Sequence, residues 1–410
     1  MCRGRKTGLN LGLKGPSPDL GAGSGSFPGM SPSCGFALQH VSLYDAAMHN
    51  TQRFGRALRA LVSPVLKQIS GPAMGLPPEP DRKRASARSR GVGRLRLSLA
   101  LQGGGSLGAF TWGVLDRLLE EEKVSFDAVS GASAGAVNAV IMSHGLMTGG
   151  AAGAREALAS FWKQASDAAP RHTGGRAPSS VALDLSTRLM SPYQFNPLDF
   201  NPLRSLLGGV DFEALRRAKP LRLLIGATRV SDGRLRIFRE SEITREIVLA
   251  SACLPLLQHA VTIDGEAYWD GGYAANPPLM PLVSASRAAD LVVVQIIPTE
   301  GEELPKTSPD IIRRLNQMTF NNSLLRDLDT LSSMTELATE REGEGRLSRK
   351  LRRLRLHRLA AEESVPDLRE VSALDLDWDL LIRLRDCGRA AAEAWLAERQ
   401  SEPEIGEPMA

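Results

Sequence analysis

Two strand–turn–helix units within residues 95–141 constrain the fold of this chain more than any other feature of its sequence. The apolar run Leu95–Leu101 predicts a strand that enters a sheet core, and Phe126–Ser130 predicts a second strand. Glycines follow each strand, and a helical pattern of apolar residues follows the glycines. Because a helix joins the two strands, we expect them to be adjacent and parallel, with a right-handed crossover. The segment therefore predicts an α/β fold.

The remainder of the chain supplies more strands and then helices. Further strands are predicted at residues 221–227, 234–238 and 290–297, with a hairpin formed by 261–263 and 266–269 around an Asp264-Gly265 turn. The last third is predicted to be mainly helical, at residues 311–338 and 380–397. It contains a basic cluster at 346–358, where nearly alternating leucines in the second half favour a half-buried strand over a helix.

Composition divides the 410 residues into three segments. Residues 1–93 form a basic extension with low-complexity pieces, which bury too little apolar surface to offset chain entropy and are predicted to be largely disordered. Residues 94–299 contain the two strand–turn–helix units and are the predicted main domain. Residues 300–410 are the predicted helical extension. Four cysteines in 410 residues are too few for a disulfide scaffold, and the absence of a C-x-x-C pair disfavours a structural zinc site.

The formal net charge of +4 reflects local basic clusters. Those at 82–96 and 346–358 have no folded nucleic-acid reader nearby, so we interpret them as solvated segments and expect no nucleic-acid partner. No apolar run is long enough to span a membrane, and none follows the basic amino terminus as in a signal peptide. We therefore expect a cytoplasmic protein. A basic amphipathic pattern at 54–69 leaves peripheral membrane contact as an alternative to packing on the main domain.

The first motif that carries chemistry is Gly131-Ala-Ser-Ala-Gly135, which has the form G-x-S-x-G between a strand and a helix. The turn is so tight that both glycines must lack side chains. It would hold Ser133 at the end of the strand and at the positive end of the following helix. The alternative is an ordinary glycine-rich turn, which the flanking strand and helix disfavour. We therefore predict that Ser133 is a nucleophile.

The second motif, Gly103-Gly-Gly-Ser-Leu-Gly108, also joins a strand to a helix. Bare N–H groups at a helix N-terminus bind anions, so the run is compatible with a dinucleotide pyrophosphate site or with an oxyanion hole. A dinucleotide site calls for an acid at the end of the second strand, whereas Asp127 lies near its start and Ser133 follows its end. We therefore favour an oxyanion hole over a dinucleotide-binding oxidoreductase.

The third motif, Tyr268-Trp-Asp-Gly-Gly272, puts Asp270 at the end of a strand before a Gly-Gly turn. An acid at a hairpin end often satisfies turn amides, but here it could also accept the proton of Ser133. A histidine base is the alternative: only His357 follows Asp270 as in α/β hydrolases, and His259 would need a different acid. In that fold the oxyanion loop and the serine turn are further apart than one β–α–β unit, so a Ser–Asp dyad is the better interpretation.

The three motifs, in this order and spacing, resemble the patatin-like phospholipase family over about residues 95–285, with weaker support from Ala250–Pro255 and Asn276-Pro277. The resemblance implies a three-layer α/β/α sandwich with a mainly parallel central sheet, in a catalytic domain at 94–299. It implies Ser133 as nucleophile and Asp270 as general base. The oxyanion hole is implied in the run Gly103, Gly104, Gly105, Ser106 and Gly108, with the amides of Gly104, Gly105 and Ser106 as donors, and the other motif glycines are Gly131, Gly135, Gly271 and Gly272.

The resemblance further implies a serine esterase that cleaves acyl lipids such as phospholipids and needs no metal or cofactor. A non-catalytic lipid-binding or regulatory module on the same fold is the alternative from another class. The proline-containing segment 191–205 predicts either a fixed surface loop or a flap that covers acyl chains. Head group, acyl-chain preference and oligomeric state stay open.

Overall fold

The computed structural model describes residues 94–169, 190–299, 301, 304–340 and 345–401. All of them belong to one compact unit, Ser89–Ala410. The predicted amino-terminal extension at 1–93, with its amphipathic pattern at 54–69, lies outside the described residues.

The central element is an eight-stranded sheet. Its strands are β1 Leu95–Leu101, β2 Val124–Gly131, β3 Arg222–Arg229, β4 Leu235–Arg239, β5 Val261–Ile263, β6 Glu266–Asp270, β7 Asp290–Gln295 and β8 Arg355–Ala360. They lie in the order β5-β6-β3-β2-β1-β7-β8, and β4 also pairs with β3. Every strand predicted between residues 95 and 297 is present.

The strands that carry the glycine turns are adjacent and parallel, as predicted. Leu101, the last residue of β1, lies opposite Gly131, the last residue of β2. β7 and β3 continue the parallel arrangement on either side, and β8 pairs with β7 in the same direction. The antiparallel pairs all involve β3 to β6. Since parallel strands end at the same edge of a sheet, the two glycine turns lie side by side at the carboxyl edge.

Helices cover this sheet. They are α1 Gly108–Glu120, α2 Ala134–Ala168, α3 Pro192–Phe195, α4 Pro202–Leu206, α5 Phe212–Ala218, α6 Arg245–Ser251, α7 Leu279–Ala285, α8 Ser308–Glu340, α9 Arg346–Arg353 and α10 Trp378–Ser401. Gly149 and Gly150 have non-helical backbone angles, so α2 consists of two helical pieces joined at a kink. In the described part of the chain, no helix has the length and apolar character needed to cross a membrane.

The core has two apolar clusters on opposite faces of the sheet. In β1, Leu97, Leu99 and Leu101 belong to the first cluster, with residues of α1, α2, α6 and α10. Ala100 belongs to the second, with residues of α7, α8 and α9. Because successive side chains of a strand point to opposite faces, helices pack on both sides of the sheet. The predicted three-layer α/β/α sandwich with a mainly parallel central sheet is confirmed.

The carboxyl-terminal third is mainly helical, as predicted, and α8 and α10 contain the two predicted helices. The basic cluster at 346–358 divides into α9 and the start of β8. The strand predicted from the leucines of the second half is present as β8, and the first half, for which no element was predicted, forms α9. Leu347, Leu351 and Leu354 follow a helical period, which lets the α9 helix bury Leu351.

Two glycines allow α10 to pack tightly against α1. A Cβ added to Gly113 would lie 1.9 Å from Arg385 O, and one added to Gly388 would lie 2.1 Å from Phe110 O. A side chain at either position would push the helices apart. Residues after 299 thus supply an edge strand and a covering helix, while the division of the chain at residues 93 and 299 stays a prediction.

Candidate active site

Ser133 lies in a tight turn between β2 and α2. Its φ of 53° and ψ of −128° are a conformation that a non-glycine residue adopts only when its surroundings impose it. A Cβ on Gly131 would lie 2.6 Å from the carbonyl carbon of Gly135, and one on Gly135 would lie 2.1 Å from Leu101 O. The turn therefore closes only with glycine at both positions, and it leaves Ser133 partly exposed at the first turn of α2.

Ser251, a buried residue at the end of α6, fixes the backbone of Ser133. The Ser133 N–H donates to Ser251 O at 3.0 Å and lies 3.1 Å from Ser251 Oγ. Ser251 Oγ in turn donates to Gly226 O of β3 at 2.6 Å. The serine turn is thus joined to a neighbouring strand. In the sequence, the segment Ala250–Pro255 supported only the family resemblance, and this contact was not predicted.

Asp270 reaches the same edge of the sheet from the opposite direction. β6 runs antiparallel to β3 and ends with Asp270 opposite Ala227. Ala227 lies just beyond Ile225, which is opposite Gly131. The backbone is held on both sides, because the Asp270 N–H donates to Cys253 O at 2.8 Å and its carbonyl accepts from Thr228 Oγ1 at 2.7 Å.

The carboxylate of Asp270 is fully buried. Its Oδ1 accepts from the Gly272 N–H at 2.7 Å, and within the described residues Oδ2 has no hydrogen bond of ordinary geometry. Burial raises the pKa of Asp270 to about 7, although the Gly272 N–H and the Ser133 hydroxyl act to lower it. The Ser133 hydroxyl is therefore a neighbour of this carboxylate, and Oδ2 is the oxygen left to accept a proton.

Close backbone approaches bring the three motifs together. A Cβ on Gly103 would lie 2.5 Å from both Ala132 O and Ser133 Cβ, so the glycine run contacts the serine turn directly. A Cβ on Gly271 would lie 3.2 Å from Ala132 Cβ and 2.1 Å from Gly226 O. The D-G-G turn therefore contacts the serine turn as well.

Three residues of the predicted oxyanion run already use their amides. The acceptors are Asn276 Oδ1 at 2.7 Å for Gly103, Ala373 O at 2.8 Å for Ser106, and the carbonyls of Gly105 and Ser106 for Gly108. The Ser106 amide, predicted as an oxyanion donor, therefore already donates to the backbone carbonyl of Ala373. The sequence carried no signal of this contact between residues so far apart.

Gly104 and Gly105 differ from their neighbours in the run. Across the described stretches of the chain, no acceptor receives a hydrogen bond from either amide. Gly105 has a φ of 59°, a left-handed conformation that favours glycine, and a Cβ there would lie 2.0 Å from Ala373 O. Two consecutive unengaged N–H groups ahead of a helix can bind a negatively charged oxygen.

The two histidines considered as alternative bases are engaged elsewhere. His259 Nε2 lies 3.2 Å from Pro192 O, and its ring stacks on Tyr193 with ring centroids 4.1 Å apart. His357 Nε2 lies 2.9 Å from Asp290 Oδ1 in β7. His40, His49 and His172 lie outside the described residues. The contacts of His259 and His357 therefore do not include Ser133.

Asp127, the acid considered for a dinucleotide ribose, is committed to a structural cluster. Its buried carboxylate accepts from Arg222 Nη1 at 2.9 Å and from the Arg287 N–H at 2.6 Å, and it pairs with Arg96 at 3.5 Å. These contacts leave the dinucleotide alternative without its acid. Among the described residues, no three His, Cys, Asp or Glu side chains are grouped to hold a metal ion.

Residues 191–205 form two short helices, α3 and α4, each with proline at its first position. The Tyr193 hydroxyl accepts from the Ala260 N–H at 3.2 Å, which ties the segment to the loop after α6. Tyr193, Leu198 and Phe200 are exposed. Whether this segment is a fixed loop or a flap stays open.

Comparisons with known proteins give one family and several solved structures, two of which follow. Residues 99–283 match the family model described as patatin-like phospholipase. VipD from Legionella pneumophila is 14% identical, with a TM-score of 0.32 over 72% of this chain and 67% of that one. The ExoU–SpcU complex of the Pseudomonas aeruginosa type III secretion system is 14% identical, with a TM-score of 0.27 over 75% of this chain and 76% of that one. No curated protein matches the chain.

Proposed function

We propose that the chain is a serine lipid acyl hydrolase, from the premise that residues 99–283 match the patatin-like phospholipase family model. Its substrate class is the carboxylic esters of phospholipids or other acyl lipids, reached at a membrane surface by peripheral contact. One observation carries the proposal: a constrained serine turn, a buried carboxylate and two unengaged amides meet at one edge of the sheet.

In the first step, Ser133 Oγ attacks the ester carbonyl carbon as its proton moves to Asp270 Oδ2. A carboxylate is ordinarily a weak base, but a pKa of about 7 brings Asp270 closer to the ideal for proton transfer at neutral pH. At that pH a large fraction of Asp270 is still ionised and ready to accept the proton.

The negative charge that develops on the carbonyl oxygen needs donors that are already oriented. The amides of Gly104 and Gly105 fill this role in the proposal, since their neighbours Gly103 and Ser106 are held by other bonds. Removing a single donor of this kind from an enzyme costs about 10²–10³ in rate. Oxyanion stabilisation is therefore the contribution to catalysis that we assign to the glycine run.

The remaining steps restore the enzyme. The tetrahedral adduct expels the alcohol, which takes the proton from Asp270 and leaves an acyl group on Ser133 Oγ. A water molecule then gives its proton to Asp270 and attacks the acyl carbonyl. The carboxylic acid departs and Ser133 Oγ regains the proton. The residues named supply every proton transfer in this cycle.

The proposal is tested by hydrolysis of an acyl-ester chain-length series and of phospholipid vesicles, together with fluorophosphonate labelling. We expect Ser133→Ala to abolish turnover and labelling, because the nucleophile is gone. Ser166→Ala, at the far end of α2, is the matched control and should retain both activities. Labelling that persists in Ser133→Ala would overturn the assignment. A wild-type protein that binds vesicles without turnover would support the alternative of a non-catalytic lipid-binding module.

A further inference from the structure

The glycine run at 103–108 is held in part by residues that lie outside the family match at 99–283. These residues belong to α8 and to the loop before α10, in the third of the chain predicted as an extension. Their contacts are made on both sides of the two unengaged amides, Gly104 and Gly105.

The first contact lies immediately before the run. Gln102, fully buried, accepts at Oε1 from the N–H groups of Ile296 (2.8 Å) and Ile297 (2.9 Å) beyond the end of β7. Its Nε2 donates to Asn321 Oδ1 of α8 at 2.8 Å. Asn321 is also buried, and its Nδ2 donates to Pro298 O at 2.7 Å. The oxygen and the nitrogen of each side-chain amide thus have hydrogen-bond partners. Gln102 and Asn321 therefore fix the direction in which the glycine run leaves β1.

The second contact involves the same turn of α8. Asn276 pairs with Gly103 through two hydrogen bonds, accepting from its N–H at 2.7 Å and donating to its carbonyl at 3.0 Å. Asn276 Nδ2 also donates to Phe320 O at 3.2 Å, and its own N–H donates to Ser323 Oγ at 3.0 Å. Residues 320–323 of α8 therefore position Gly103 through Asn276.

The third contact lies after the unengaged amides. Ser106 donates its N–H to Ala373 O at 2.8 Å and its Oγ to Ser372 O at 2.9 Å. Two bonds from one buried residue to consecutive carbonyls fix both the position and the orientation of the peptide that follows Gly105.

We infer that the carboxyl-terminal third is part of the active site, with Asn321 and the Ser372–Ala373 segment as positioning elements for the amides of Gly104 and Gly105. The catalytic part of this inference rests on the proposed function. It also predicts that the chain is not divisible into an autonomous catalytic domain and a dispensable extension, because residues after 299 supply part of the contacts that hold the oxyanion run.

The test compares two buried substitutions on the same helix of the full-length protein. Asn321→Leu removes the partner of Gln102 at nearly constant volume. Leu331→Ala opens a cavity in the second core cluster and touches no residue of the run. We expect Asn321→Leu to lower kcat per fluorophosphonate-labelled site by about 10- to 100-fold, since a misplaced oxyanion donor costs that much. The KM should change less than about threefold, because substrate binding away from the reacting carbonyl is untouched.

A second readout does not depend on turnover. Hydrogen exchange of peptides that cover residues 103–108 should be faster in Asn321→Leu than in wild type, and unchanged in Leu331→Ala. If exchange at residues 103–108 is faster in Asn321→Leu than in wild type, but wild type shows no ester turnover, the positioning holds and the proposed function fails. If Asn321→Leu melts at a lower temperature with unchanged exchange and unchanged kcat per labelled site, Asn321 is merely structural and the inference is overturned.

The other side of the run is tested by a matched pair of serines. Ser106→Ala and Ser98→Ala each delete one buried hydroxyl, and the Ser98 hydroxyl bonds to Ser286 Oγ at 2.7 Å, away from the run. We expect Ser106→Ala to lower kcat about three- to tenfold, the equivalent of one lost hydrogen bond, with Ser98→Ala unchanged. Equal kcat values for the two variants would contradict the role of the Ser372–Ala373 segment.

Discussion

The two glycine turns at the carboxyl edge of the sheet look alike in sequence but are stabilised differently. The serine turn at 131–135 closes by contacts between its own glycines and with the adjoining end of β1. The glycine run at 103–108 is held by side chains and carbonyls at sequence separations of 173, 219 and 266. A five-residue motif thus encodes most of the geometry around the proposed nucleophile, Ser133, whereas the geometry of the glycine run, the proposed oxyanion hole, depends on the assembled fold.

The most disruptive change to the local turn is Gly135→Ala. The new Cβ would lie 2.1 Å from Leu101 O, a backbone atom that cannot move without separating β1 from α2. We expect a loss of about 3 kcal/mol or more in the free energy of unfolding, measured by urea denaturation, together with loss of labelling. Gly208→Ala is the control, because a Cβ there meets nothing within 4 Å. Equal stability of the two variants would show that the turn is not closed in this way.

The contact between the glycine run and the serine turn is tested by Gly103→Ala. Its Cβ would lie 2.5 Å from Ala132 O and Ser133 Cβ, so the run must move away from the nucleophile. We expect kcat to fall about 100-fold, as for an oxyanion donor displaced by roughly 1 Å, with a smaller loss of stability than in Gly135→Ala. Steady-state kinetics beside a thermal melt separates the two effects. If Gly103→Ala lost thermal stability but kept the wild-type kcat, glycine at this position would be required for folding and not for catalysis.

Much of the fold was predictable because its signals are local. The strand β1, the glycine turns and the Asp264-Gly265 hairpin are each recognised within a few residues, and helix–strand order then fixes parallel pairing. The serine turn belongs to this class, since Gly131 and Gly135 carry its steric requirement themselves. Asp270 was identifiable because a strand end and a Gly-Gly turn flank it.

The features that the sequence did not predict are those that depend on distant partners. Nothing near Ser106 in the sequence indicates that Ala373 O takes its amide, and Asn321 is one polar residue in a long helix. No element was predicted for the first half of the basic cluster at 346–358, because charged residues there hide a helical leucine spacing. The turns that carry Ser133 and Asp270 were therefore predictable from the sequence, and the contacts that position the glycine run were not.

The smallest effect is expected at the contact between the Ser251 hydroxyl and the serine turn. Ser251→Ala removes the Oγ beside the Ser133 N–H but keeps the Ser251 carbonyl at 3.0 Å as its acceptor. We expect kcat to fall by no more than about fivefold, the equivalent of roughly 1 kcal/mol. If kcat fell as much in Ser251→Ala as in Asn321→Leu, the serine turn would depend on distant contacts as strongly as the glycine run does, and the comparison would fail.

A second contrast concerns two buried aspartates. Burial acts to raise the pKa of Asp290, but hydrogen bonds from Arg355 and His357 outweigh it and hold this pKa well below its ordinary value. Among the described residues, no cation acts on Asp270 in this way, and burial raises its pKa to about 7. Between about pH 4 and 7 the native state holds a proton on Asp270 that the unfolded chain has lost, so this group lowers stability as pH rises. Asp270→Asn should therefore be at least as stable as wild type at pH 8, by thermal melting.

The central claim is that Asp270 is the base for Ser133, and the pH dependence of fluorophosphonate labelling tests it most directly. Because only ionised Asp270 accepts the proton, the wild-type labelling rate should rise with pH through an apparent pKa near 7 and then level off. Asp270→Asn should stay folded, lose this limb and label about 10²–10⁴-fold more slowly on the plateau. An Asp270→Asn protein that keeps the same limb at an unchanged rate would contradict the account.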